Sequence, residues 1–166
     1  MAWTLDRDAS KIRLLTRAEG FLSPLAHDLE LVATPGELLD GETLVFPAAG
    51  VRVVGAVKKG RVDEGALSVG DRFEIDRRVR EELLAGDVRV TARRDGRDLD
   101  VTIAAPRGRE SRRAAGFVSE RDGVVEVRGE LSLSMKALGV GPVKGPMNMF
   151  RMKDEVTVIV ALRFTS

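Results

Sequence analysis

The stretch Glu155-Val-Thr-Val-Ile-Val-Ala-Leu-Arg-Phe164 decides the fold class. Val156, Val158, Val160, Leu162 and Phe164 fall on one side, because successive side chains of a strand point to opposite faces. A strand with such a face must bury it. Immediately upstream lies a Gly/Pro-punctuated crossing from Leu138 to Pro146, then a methionine-rich turn holding Met147, Met149, Phe150 and Met152. Methionine is unbranched and adaptable, so its placement beside an apolar strand suits an interior that fits a flexible guest.

The same alternation recurs upstream. Ile12 and Leu14 alternate with Lys11 and Arg13, and His27, Leu29 and Leu31 with Asp28 and Glu30. Val88, Val90 and Ala92 oppose Arg89, Thr91 and Arg93, while Leu99, Val101 and Ile103 oppose Asp98, Asp100 and Thr102. Val127, Gly129, Leu131, Leu133 and Met135 oppose Glu126, Arg128, Glu130, Ser132 and Ser134. One buried face per strand is the mark of antiparallel sheet. Asp40-Gly41, Asp95-Gly96 and Asp122-Gly123 supply hairpin signals between the runs. The pattern predicts a mostly β single domain over residues 1–166, about eight antiparallel strands in a sandwich or a closed barrel, with one short helix. Asp76 is expected to cap that helix, Val79 and Leu83 to share its apolar face, and Gly86 to stop it. The run Arg107 to Arg113 reads as a polar hairpin tip.

Composition narrows the function. Lys+Arg 27 against Asp+Glu 26 gives a net charge of +1, so bulk attraction to nucleic acid or membrane is not expected. The basic runs Arg77-Arg78 and Arg107 to Arg113 carry no interleaved aromatics, which argues further against nucleic acid. Zero cysteines exclude disulfide and thiolate chemistry. No stretch is apolar for long enough to span a bilayer, and Met1 to Asp8 lacks a basic region followed by an apolar run. The expectation is a cytoplasmic protein without an integral membrane segment, or a periplasmic one if the sequence is a processed form. A homodimer is compatible with all of this.

His27 is the single histidine. With no second histidine and no cysteine it makes a lone metal ligand, so neither a metal nor a cofactor is expected. Its place on an apolar face fits a structural or pocket-polar role better than a catalytic one, and no catalytic set is assigned. Gly139-Val-Gly141-Pro-Val-Lys-Gly145-Pro lacks a Gly-Lys-Ser/Thr ending, and its prolines remove donors a phosphate loop needs. The residues expected to line an elongated interior are Phe21, His27, Leu29, Leu31, Phe46, Phe73, Leu131, Leu133, Met147, Met149, Phe150 and Met152, with Lys144 at a ligand head group. A barrel of this size either is filled by side chains or holds one small ligand, and periodicity leaves both open.

Trp3-Thr-Leu-Asp6 with Ala9-Ser10, Phe73 to Asp87, Leu138-Gly-Val-Gly-Pro142 and Met152-Lys-Asp-Glu-Val156, in that order, resemble the YceI-like family. Leu25-Ala-His-Asp-Leu29 is similar to a His-Asp-Leu variant of its early strands. The resemblance implies a lipocalin-like barrel that binds, sequesters or transports a long apolar molecule of polyisoprenoid, quinone or fatty-acid type. Two other readings stand beside it: a small hydrolase- or isomerase-type enzyme using His27, and a ligand-free barrel serving as an interaction module.

Overall fold

The computed structural model describes residues 3–20, 27–144 and 151–166. The chain forms β1 (Thr4–Leu5), β2 (Lys11–Thr16), β3 (Ala18–Glu19), β4 (Asp28–Ala33), β5 (Leu38–Leu39), β6 (Thr43–Phe46), β7 (Val51–Lys58) and β8 (Arg61–Asp63). A helix, α1 (Val69–Arg78), continues as a π-helical turn over Val79–Leu84. Then come β9 (Val88–Asp95), β10 (Asp98–Ala105), β11 (Gly108–Arg121), β12 (Val124–Ser134), β13 (Arg151–Met152) and β14 (Glu155–Thr165). Among the described residues, no helix is long and apolar enough to cross a membrane.

The expected class holds, but the count and closure do not. One antiparallel sheet of twelve strands runs in the order β5-β6-β9-β10-β11-β12-β14-β2-β4-β7-β8, with β1 added to β14. It curls without closing, because β5 and β8 are not paired to each other. A bend explains this. Thr34 to Glu37 carries the chain from β4, beside β2, to β5, beside β6, so a single run of chain supplies strands far apart in the sheet order. Backbone bonds Gly36 N to Val45 O (2.7 Å) and Thr34 N to Gly50 O (3.0 Å) tether the bend where no ladder exists. The chain thus joins what the hydrogen-bond ladder leaves open.

Turn chemistry fixes the hairpins. Lys59-Gly60 and Asp122-Gly123 both place two successive residues at positive φ, the geometry that matches the right-handed strand twist. The expected tip at Arg107 to Arg113 is instead the turn and first half of β11. That half was illegible because it is polar for a structural reason. β11 pairs with β12 only from Ala115 to Arg121; before that point the strands part. Glu110, 8% exposed, spans the gap by accepting the Ser134 N–H at 2.8 Å and pairing with Arg112. A buried carboxylate needs such partners.

The helix begins earlier than expected. Ser68 is its N-cap, in a capping box with Asp71: Asp71 N–H donates to Ser68 Oγ at 3.0 Å, and Ser68 N–H donates to the Asp71 carboxylate at 2.9 Å. These bonds hold the Asp71 carboxyl below its ordinary range, the backbone donor first. Asp76 sits inside the helix. Its carboxylate accepts the Val53 N–H at 2.8 Å, while Arg72 donates to Val54 O at 2.7 Å. Val53 and Val54 lie where β7 slips register against β4, between Glu30 and Leu31. The helix therefore satisfies backbone groups at the irregularity, as buried polar groups require. Ala85, left-handed at φ 53°, ends the helical segment in place of the expected Gly86.

Candidate functional site

The inward face of the curled sheet encloses a cavity of about 540 Å³. Its walls are the alternating rows. β14 contributes every second residue from Val156 to Phe164, β12 from Val125 to Leu133, β10 from Leu99 to Ala105, and β9 from Val88 to Ala92. Ile12, Leu14, Leu31, Leu44 and Phe46 complete the wall across the sheet, and Val79, Leu83 and Leu84 close on it from the helical segment. Among the lining residues the polar ones are Thr16, Glu42, Arg93, Arg94 and Arg128.

The lining is not packed solid. Val127, Leu131, Leu133, Val156, Val160 and Phe164 all face inward, yet each keeps partial exposure. Among the described residues no large side chain is fully buried. A closed, empty void of this size would cost about 13 kcal/mol at roughly 24 cal/mol per Å³. That rivals the whole stability of a typical domain, about 5–15 kcal/mol. The space is therefore not a sealed, dry void, and its volume lies within the range of about 300–1,000 Å³ usual for small-molecule sites.

One end is braced by a polar network. Asp154 accepts from Ser134 Oγ (2.6 Å) and from Lys136 N–H (2.7 Å), and its backbone carbonyl accepts from Met135 N–H (2.9 Å). The Ser134 hydroxyl, then the Lys136 amide, hold the Asp154 carboxyl below its ordinary range. The turn so anchored presents Met135, Leu138 and Val140 to the cavity. Gly139, at φ 69°, lies against the Arg107 backbone, where a Cβ would come within 2.6 Å of the carbonyl oxygen. Only glycine lets these two turns meet so closely. The opposite rim carries charge. Arg94 continues the inward row Val88-Val90-Ala92 by one step, and Glu42 lies on the turn between β5 and β6. Ala92 is exposed although it lines the cavity, so access runs through this rim.

Of the residues expected at the site, the structure brings Leu31, Phe46, Leu131 and Leu133 together on the cavity wall. Leu29 is buried in the same core but does not line the space, and Met152 packs half-buried beside that core. Phe73 is misplaced: it stands 66% exposed on α1, away from the cavity, because α1 turns Asp76 and Arg72 toward β7. His27 is half-buried ahead of β4, near enough to Asp71 to add a small lowering of that carboxyl, and does not line the cavity. Lys144 is exposed and bridges backbone-to-backbone with Arg151, also off the wall. Phe21, Met147, Met149 and Phe150 lie outside the described residues. Sequence reasoning missed Thr16 and Arg94, though each extends a row already read from alternation, Ile12-Leu14 and Val88-Ala92. It also missed Trp3, for which position in a row gives no signal.

Thr16 is distinctive within the wall. Its hydroxyl oxygen is buried with no hydrogen-bond partner. Among the described residues no group of histidine and carboxylate side chains is arranged to hold a metal ion.

No protein-family model matches the chain, and no curated protein matches it in sequence. Among solved structures it is similar to the crystal structure of Burkholderia cenocepacia BcnA, with a TM-score of 0.59 and 13% identity. The match covers 96% of this chain and 99% of that one. At such low identity the likeness speaks for the fold.

Proposed function

We propose that this protein is a carrier that sequesters a long apolar molecule inside the curled sheet. The observation that supports the reading best is the hollow itself: rows of aliphatic side chains face a space of about 540 Å³ and stop short of filling it. Transfer of apolar surface out of water drives binding, at about 25 cal/mol per Å² before ordering costs are subtracted. The few polar groups at the two ends would orient the guest, as in most small-molecule sites. The YceI-like pattern of Trp3 to Ser10, Leu138 to Pro142 and Met152 to Val156 implies a barrel of the lipid-holding kind, and the likeness to BcnA supports the fold on which that reading rests. Polyisoprenoid, quinone and fatty-acid-type molecules all meet the chemical requirement.

The test is native mass spectrometry with solvent extraction on protein purified from its own host, joined to titration with fluorescent apolar probes. A reproducible bound lipid, displaced by probe, is the expected result. Empty protein that also ignores the probes would overturn the reading.

A further inference from the structure

Two paired glycines lie in the cavity wall; a Cβ on Gly116 would crowd the Arg128 carbonyl oxygen at 3.3 Å, but Gly129 has no backbone reason to be glycine. Gly116 of β11 and Gly129 of β12 are directly paired across the ladder, and both face the cavity. Neither has a positive φ. A Cβ on Gly129 would meet Ala115 O at 3.4 Å and Gly116 Cα at 3.5 Å, which is ordinary contact. Glycine in a strand interior weakens the strand, through extra chain entropy and the lack of a side chain to pack. What glycine does provide here is space. Ala114 and Ala92 extend the same shallow region of wall, and Leu99 lies across Gly116, its Cδ1 3.2 Å from where a Cβ would stand. Two and four residues along β12 the wall carries Leu131 and Leu133 instead. In the other direction it carries Val127 and Val125, paired with Leu162 and Phe164, so the glycine pair leaves one recess partway along the wall.

Resting on the carrier reading, we infer that Gly129, with Gly116, is a specificity-determining position that sets the girth of the guest. The guest is thicker at this level than a straight alkyl chain, and its thinner part runs on among the leucines. In a shaped apolar site, one extra methylene is worth about tenfold or more in discrimination. Side-chain atoms on Gly129 would therefore exclude a broad group and spare a slender one.

The experiment titrates wild type, Gly129→Ala and Gly129→Val with 1-aminoanthracene, a fused-ring probe, and cis-parinaric acid, a linear polyene. In Gly129→Val the affinity for aminoanthracene should fall about tenfold or more while that for parinaric acid is kept. Gly129→Ala should melt at or above wild type, by roughly 1–4 °C, which separates lost space from lost folding. Equal loss of both probes, or no loss of either, overturns the girth assignment and leaves the carrier reading standing. Failure of wild type to bind either probe would remove the carrier reading, and this inference with it.

Discussion

Thr16 shows most directly what a single side chain does in this wall. Its hydroxyl is buried and unpartnered, surrounded by the apolar rows of β2, β4 and β14. A buried hydroxyl without a partner costs about 1–3 kcal/mol. Thr16→Val keeps the shape and removes the orphan atom, so it should stabilise the empty protein by about 1 kcal/mol in urea unfolding. A drop in stability would show instead that the hydroxyl has a partner in solution. Glu110 makes the contrary case. It too is a polar group under cover, but with Ser134 N–H and Arg112 bound to it, it takes the place of a missing ladder. Residue type alone did not separate the two. Alternation places a side chain on a face, and only the register of β11 against β12 shows whether a partner waits there.

Among the elements, the turn from Met135 to Gly141 and the start of β14 behave as one unit, held by Asp154. The linkage has a definite sign. The folded-state Asp154 carboxyl titrates below its ordinary value of 3.8, so its stabilisation is fully present above that value and is lost as pH falls through the lower folded value. Asp154→Ala should thus lower stability by about 1 kcal/mol at neutral pH, at the small end for a charged hydrogen bond because the group faces solvent. The gap from wild type should be constant above the ordinary value of 3.8 and narrow progressively as pH falls below it, read as melting temperature against pH. A gap independent of pH would mean that the turn is held by packing alone. The Met152-Lys-Asp-Glu-Val156 pattern noted in the sequence contains this aspartate, but no sequence pattern says that it braces a cavity end. Helix α1 teaches the same lesson. Ser68-Val-Gly-Asp71 has capping-box spacing and was passed over for Asp76; the role of Asp76 at the irregularity of β7 had no local signal, because it depends on a register slip between two strands distant in the chain.

At the scale of the whole molecule, the alternating rows of β9, β10, β12 and β14 were readable, and they proved to be the cavity wall. The hollow was not readable. The same rows describe a filled core equally well, and the difference lies in how far opposite walls stand apart. β7 escaped as well, since its register slip breaks the period-two pattern. Substitutions on and off the wall now separate function from fold. Leu131→Asp places a charge on the cavity wall and should abolish apolar-probe binding. Phe73→Ser and His27→Ala, both off the wall, should leave probe affinity within about twofold of wild type, measured by fluorescence titration. Lost binding in His27→Ala would return that residue to the site.

A sheet that curls without closing keeps two free margins, and free margins invite other chains to add strands. Here they are β5, two residues long, and β8, three residues long, the latter carrying Arg61 and Asp63. Margins this short offer an intruding strand too few backbone groups to hold. The sheet can leave its seam unstitched without offering a long template for its own aggregation.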